Sequence, residues 1–240
     1  MFDSKTLATI KTIDVQGNPD GIMFDPFNQR VWIFSHSAPN ATVIDTKDGS
    51  IAGTVDLGGA PEQAATDGQG HIWVDVEDKD SIAAVDAKTL TVTGHFDLSG
   101  KCGGPGGLGF DAKNHVLFAT CHNPAAMVMV NADSGKVITS LPIGSGTDGG
   151  GFNPNTMEAF SSNGEGTLSV IKENSPTDFT VEQTVQTMPR ARTMTVDTKT
   201  DRVLLIGAEF TPPPTPAPAG GRPARGQMVP GTFTILAVGK

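Results

Sequence analysis

A fivefold internal repeat constrains this chain more than any other feature of its sequence. An Asp or Asn ends a short apolar run and precedes a turn at Asp25, Asp67, Asp111, Asn153 and Asp197, in steps of 42, 44, 42 and 44 residues. The frame around each anchor recurs: GIMFD-PFNQ-RVWIFS, AATD-GQG-HIWVDV, GLGFD-AKNH-VLFAT, GGFN-PNTM-EAFSS and MTVD-TKTD-RVLLIG. Each reads as two short strands joined by a tight turn. A third segment follows (ATVID, IAAVD, MVMVN, LSVIK, FTILAV), and after the first four a further outer strand (SIAGTVDL, TVTGHFDL, KVITSLPI, FTVEQTV).

Four short antiparallel strands in about 40–45 residues make one blade of a β-propeller, and a blade buries its apolar faces only by stacking on its neighbours. The expected fold is therefore all-β, a single domain over residues 1–240 with five four-stranded blades. The last repeat stops after its third strand, at Thr232–Val238. The chain opens with Thr6–Val15 (TLATIKTIDV), which reads as an orphan outer strand. Joining the two would complete the fifth blade and close the ring, removing exposed strand edges. The Pro- and Gly-rich stretch Thr211–Gly231 interrupts the last blade between its second and third strands and reads as an extended loop insertion.

The lines NPDGIMFDPFNQRVWIF, GGAPEQAATDGQGHIWVDVEDKD, FSSNGEGTLSVIKENSPTDFTV and VPGTFTILAVGK resemble the YncE-like family of YVTN-repeat proteins, over essentially the whole chain. The resemblance implies a propeller that usually has seven blades and an exported parent protein, periplasmic or secreted. Five repeats then form either a closed ring or an open arc of a seven-bladed propeller. Met1-Phe2-Asp3 offers no signal peptide in this chain, and it matches the end of a third strand such as Val43-Ile44-Asp45.

A formal net charge of −9 and a pI near 4.9 disfavour nucleic acid and anionic membrane as partners, since both call for clustered Lys and Arg. Arg190 and Arg192, then Arg222 and Arg225, are the nearest approach to a basic cluster. No apolar run approaches the ~20 residues of a membrane span. A monomer that binds a protein or polymer partner is the expectation.

In a propeller, the loop before a blade's first strand and the loop after its second open on the same face. Five residues before the anchors stand Asp20, Glu62, Gly106, Asp148 and Arg192; past them, the second loops carry His36, Glu77, His122, Asn163 and Glu209. Three carboxylates and a guanidinium at equivalent positions suit a small polar ligand or a hard cation such as Ca²⁺, although loop Asp and Glu also cap turns and face solvent. Arg190 and Arg192 are the available anion contacts. No resident cofactor is expected.

Cys102 precedes the third blade's first strand and Cys121 ends its second, so both map to one face of one blade. A disulfide is the first expectation and implies an oxidising compartment; buried free thiols, or metal binding with His122, are the alternatives. The sequence lacks GxSxG, HExxH, P-loop and CxxC signatures. Its Gly-rich runs (Gly103–Gly107, Gly144–Gly151) precede strands rather than helices, which fits close backbone packing at the channel. The function expected is a non-catalytic binding scaffold of the cell envelope, with its ligand or partner at the channel mouth. The alternatives are a metal-dependent, lactonase-like hydrolase, with Asp20, Glu62, Asp148 and Asn163 as ligands and His36 or His122 as base, and an accessory subunit of a redox enzyme.

Overall fold

The repeating anchor is an Asx turn. Asp25, Asp67, Asp111, Asn153 and Asp197 each accept a hydrogen bond from the backbone N–H two residues on, at 3.2, 2.7, 2.9, 3.0 and 3.0 Å. The side chain thereby mimics a backbone turn and starts the hairpin. In four of the five hairpins the fourth residue after the anchor, Gln29, His115, Met157 or Asp201, takes a left-handed φ of 53–57°. This turn conformation lets the second strand set off antiparallel to the first.

A computed structural model describes residues 1–213 and 226–239. Blade 1 comprises β1 (Pro19–Asp25), β2 (Arg30–Ser35), β3 (Asn40–Asp45) and β4 (Ile51–Asp56). Blade 2 holds β5 (Pro61–Thr66), β6 (His71–Val76), β7 (Ser81–Asp86) and β8 (Thr91–Asp97), with one 3-10 turn at Glu77–Lys79. Blade 3 holds β9 (Gly103–Asp111), β10 (Val116–Asn123), β11 (Ala126–Asn131) and β12 (Val137–Pro142). Blade 4 holds β13 (Thr147–Asn153), β14 (Glu158–Asn163), β15 (Thr167–Ser175) and β16 (Asp178–Gln186). Blade 5 shows β17 (Thr193–Asp197), β18 (Arg202–Gly207) and β19 (Thr234–Val238) among the described residues. Each sheet is antiparallel in simple sequence order, as expected of a five-bladed propeller.

Alternation along each strand sends successive side chains to the two neighbouring blades. Trp32, Phe34 and Val43 of blade 1 meet Ile72, Val74 and Val76 of blade 2. Trp73 and Ile82 pack with Leu117 and Val128 of blade 3. Phe118 and Met129 of blade 3 pack with Phe152 and Ile171 of blade 4, the rings of Phe118 and Phe152 stacked at 5.1 Å. Phe160, Leu168 and Val170 pack with Val203 and Leu205 of blade 5. Four apolar cores thus join five blades, and among the described residues none joins blade 5 to blade 1. The outward faces of these two blades are open: Ile22 is 73% exposed on β1 and Ile235 62% exposed on β19.

Closure by an N-terminal strand is therefore not what the chain does. Thr6–Val15 forms no ladder with β19; the first residues fold back on themselves and lie on blade 1. Asp3 Oδ1 accepts hydrogen bonds from the Lys5 and Thr6 N–H groups, Phe2 bridges Thr9, and Lys11 Nζ donates to the carbonyls of Asp48 and Gly49 in the β3–β4 turn. The five blades of the propeller are left open between blade 5 and blade 1 among the described residues. The stem of the insertion pairs Glu209–Thr211 with Gln227–Val229; its residues 214–225, with Arg222 and Arg225, lie outside the described residues.

Gly-rich runs do serve backbone packing. A Cβ on Gly150 of β13 would lie 2.7 Å from the Gly107 carbonyl carbon of β9, so these two inner strands touch only because neither has a side chain there. The Gln63 side chain of β5 crosses to the same pair. Its Oε1 accepts from the N–H groups of Leu108 (3.2 Å) and Gly150 (2.9 Å), and its Nε2 donates to the Gly150 carbonyl (2.9 Å).

Candidate functional site

Every carboxylate placed by spacing before an inner strand sits on a β-bulge. The β1–β2 register shifts across Asp20, β5–β6 across Glu62 and Gln63, and β13–β14 across Asp148; the glycine at the equivalent place, Gly106, is the bulged residue of β9. A bulge inserts a residue outside the ladder and re-aims its side chain, which turns these groups toward the channel mouth. Gly21 brings the strands together, since a Cβ there would lie 2.8 Å from the Glu62 carbonyl oxygen.

The second loops supply the imidazoles. His36 follows β2, Glu77 follows β6, and His122 is near the end of β10; the backbone N–H groups of His36 and Glu77 donate to the carbonyls of Asn18 and Ala60 in the first loops, at 3.2 and 2.8 Å. The result is a chain of alternating charge type across three blades. His36 Nδ1 is 2.8 Å from Glu62 Oε1, His36 Nε2 is 3.7 Å from Glu77 Oε2, and His122 Nε2 is 3.7 Å from Glu77 Oε1. Arg192 pairs with Asp148 at 3.3 Å on the far side. Ligand atoms of Asp20, His36 and Glu62 all lie within 4.8 Å of one another.

Electrostatics at the mouth is uncompensated. Burial, then Glu77 and Asp20, push the Glu62 carboxyl up to about 7, against the pull of His36. Burial also raises Asp148, with Asp20 adding to the rise while Arg192 and His122 oppose it. Four carboxylates face one guanidinium and two imidazoles, so the unpaired field is negative.

Other sequence candidates are used differently. Asn163 is fully buried: its Nδ2 donates to Thr167 Oγ1 and Ser169 Oγ, and its Oδ1 accepts from Ser161 Oγ. That hub braces blade 4 and leaves no free ligand atom. Arg190 lies over the Phe210 ring at 4.6 Å, at the edge of blade 5, and the Glu209 backbone N–H donates to Thr232 Oγ1. Cys102 and Cys121 are bonded, with Cα atoms 5.2 Å apart; the thiol and metal alternatives for this pair fall away.

One residue of the site escaped the sequence analysis. Asp75 of β6 has no exposed surface, neither carboxylate oxygen has a hydrogen-bond partner, and burial followed by the Glu62 charge raises it well above the usual range. It sits opposite the Glu62–Gln63 bulge, since Pro61 pairs with Val76 and Ala64 with Val74. The signal was an acid flanked by Val74 and Val76 in an otherwise apolar strand.

No protein-family model matches the sequence, and no curated protein matches it significantly. Solved structures match the fold. A chain of Kuenenia stuttgartiensis hydrazine synthase superposes with a TM-score of 0.66 at 16% identity, over 82% of this chain and 57% of that one. The likeness is one of fold, and this chain spans little more than half of its neighbour's length. No helix among the described residues is long and apolar enough to cross a membrane.

Proposed function

We propose that this chain is a non-catalytic binding module of the YVTN-repeat kind, acting in the cell envelope, that receives a positively charged group of its ligand or partner at the channel mouth. The observation that carries the proposal is the convergence of an exposed Asp20 and the half-buried Glu62, Glu77 and Asp148, from blades 1, 2 and 4, on one mouth short of positive charge. A cationic group entering there relieves repulsion already built into the fold, and in a partly desolvated cleft that relief is larger than in open water. The Cys102–Cys121 bond supports the oxidising location.

The test is isothermal titration of the whole protein with an oligolysine peptide and an oligoglutamate peptide at two salt concentrations. The oligolysine is expected to bind in a salt-dependent manner and to weaken in Glu77→Gln or Asp148→Asn, while Asp97→Asn, remote on β8, leaves binding unchanged. Equal weakening by all three variants would reduce the effect to net charge and overturn the reading.

A further inference from the structure

Three ligand-bearing side chains at the mouth are arranged in a way that general attraction for cations does not require. Nδ1 of His36 is buried and 2.8 Å from Glu62 Oε1, yet the two are not aligned as a hydrogen bond, and Nδ1 has no other partner. A neutral imidazole this close to a carboxylate ordinarily turns its N–H onto the oxygen. Here both atoms instead stand side by side, with a carboxylate oxygen of Asp20 inside the same 4.8 Å group.

Asp75 supplies the independent observation. A fully buried carboxyl with both oxygens unpartnered is costly, because it has lost its water without gaining a hydrogen bond. In register it lies opposite the β5 bulge that carries Glu62, and the Glu62 charge adds to the rise that burial imposes on it. Such an acid has no packing rationale on a strand whose neighbours Val74 and Val76 are core residues. A positive charge held by Glu62 gives it one.

We infer that Asp20, His36 and Glu62 form a site for a single divalent transition-metal ion of the Zn²⁺ or Co²⁺ class, with the buried carboxyl of Asp75 behind Glu62. The inference rests on the reading of the mouth as a cation-receiving surface and names the cation. An imidazole among the ligands turns the preference away from Ca²⁺ and Mg²⁺, which favour all-oxygen sets, and toward ions of borderline softness. Bonds of about 2.0–2.2 Å place ligand atoms about 3–3.5 Å apart, so small side-chain rotations suffice to bring the three onto one ion. The bulges at Asp20 and Glu62, and the close approach of β1 to β5 at Gly21, put two of the three ligands on adjoining strands of two different blades. The ion would join blade 1 to blade 2 at their inner edge.

The experiment uses the full chain stripped with EDTA and titrated with Co²⁺, which reports nitrogen and carboxylate ligation through its visible absorption, and with Zn²⁺ by calorimetry. One equivalent is expected to bind. Glu62→Gln and His36→Gln should each weaken binding by at least about a hundredfold, and Asp75→Asn, one layer removed, by about tenfold. Asp97→Asn, remote on β8, should leave both stoichiometry and affinity unchanged. Thermal unfolding checks that each variant folds; if Glu62→Gln does not, His36→Gln and Asp75→Asn carry the test. No Co²⁺ binding alongside intact oligolysine binding overturns the metal site and leaves the functional reading standing. Loss of both overturns both. Stoichiometric Co²⁺ binding that survives His36→Gln overturns the ligand assignment.

Discussion

Replacing Gln63 by Ala should destabilise the protein by about 2–4 kcal/mol, and the figure follows from the three bonds its amide makes. Two N–H groups, on Leu108 and Gly150, and the Gly150 carbonyl lose their partner. A net hydrogen bond is worth about 0.5–1.5 kcal/mol when water can partly replace it. Water can enter here, because the space lined by all five inner strands amounts to about 400 Å³ and opens to solvent. For a chain of this length the loss corresponds to a fall of about 4–8 °C in Tm. Glu is the discriminating substitution. Gln63→Glu keeps an acceptor for both N–H groups and loses only the donation to Gly150, so it should cost less than Ala and recover as the new carboxyl is protonated. Urea unfolding of the two variants at pH 5 and pH 8 decides it. If Gln63→Ala lies within 0.5 kcal/mol of the parent (roughly the error of such measurements), or if Glu is as costly as Ala at both pH values, the amide is not the link between blades 2, 3 and 4.

Breaking the disulfide, by reduction or as the Cys102→Ala/Cys121→Ala pair, should lower stability by about 3 kcal/mol, since it closes a loop with a sequence separation of 19; an unmoved Tm in reductant would refute this. Glu62 and Glu173 are both raised from 4.5 to about 7, chiefly by burial, so each binds its proton more tightly in the folded state. Their joint contribution is most favourable below pH 4.5, declines as pH rises to about 7 and is level above it; Glu173→Gln should flatten that decline in urea titrations at successive pH values. Gly150→Ala drives a methyl into the Gly107 backbone and should cost about 1–3 kcal/mol, whereas Gly94→Ala, with nothing within 4 Å of the added carbon, should be tolerated.

The blades were legible because each rests on local chemistry that repeats. An Asx anchor, a left-handed turn residue and two-residue alternation are all visible in the letters around Asp25 or Asp111. The mouth was legible for a related reason: Asp20, Glu62 and Asp148 share a spacing from those anchors, and the same bulge recurs at each. What a single strand does at an end was not legible. The alternation in Thr6–Val15 fits an outer strand, and nothing in it reveals that Lys11 finds the carbonyls of Asp48 and Gly49 instead. Asn163 looked like Glu77 by position, but its fate was set by Ser161, Thr167 and Ser169, whose hydroxyls converge only once β14 and β15 pair. Asp75 shares a face with Trp73, and its isolation depends on the bulge opposite, a feature of register rather than of composition.

The described blades are a one-dimensional chain of couplings in which no apolar core joins blade 5 to blade 1. Among the described residues each inner blade is held by two apolar interfaces, and blades 1 and 5 by one each. Opening should therefore propagate inward from the ends, and amide hydrogen exchange should rank β3 below β11 although both are fully hydrogen-bonded central strands. Two of the three proposed metal ligands, Asp20 and His36, belong to an end blade, while Glu62 belongs to its better-held neighbour. Occupying the mouth then gives blade 1 a second point of attachment, and the least-held blade becomes the part of the molecule that reports whether the site is filled.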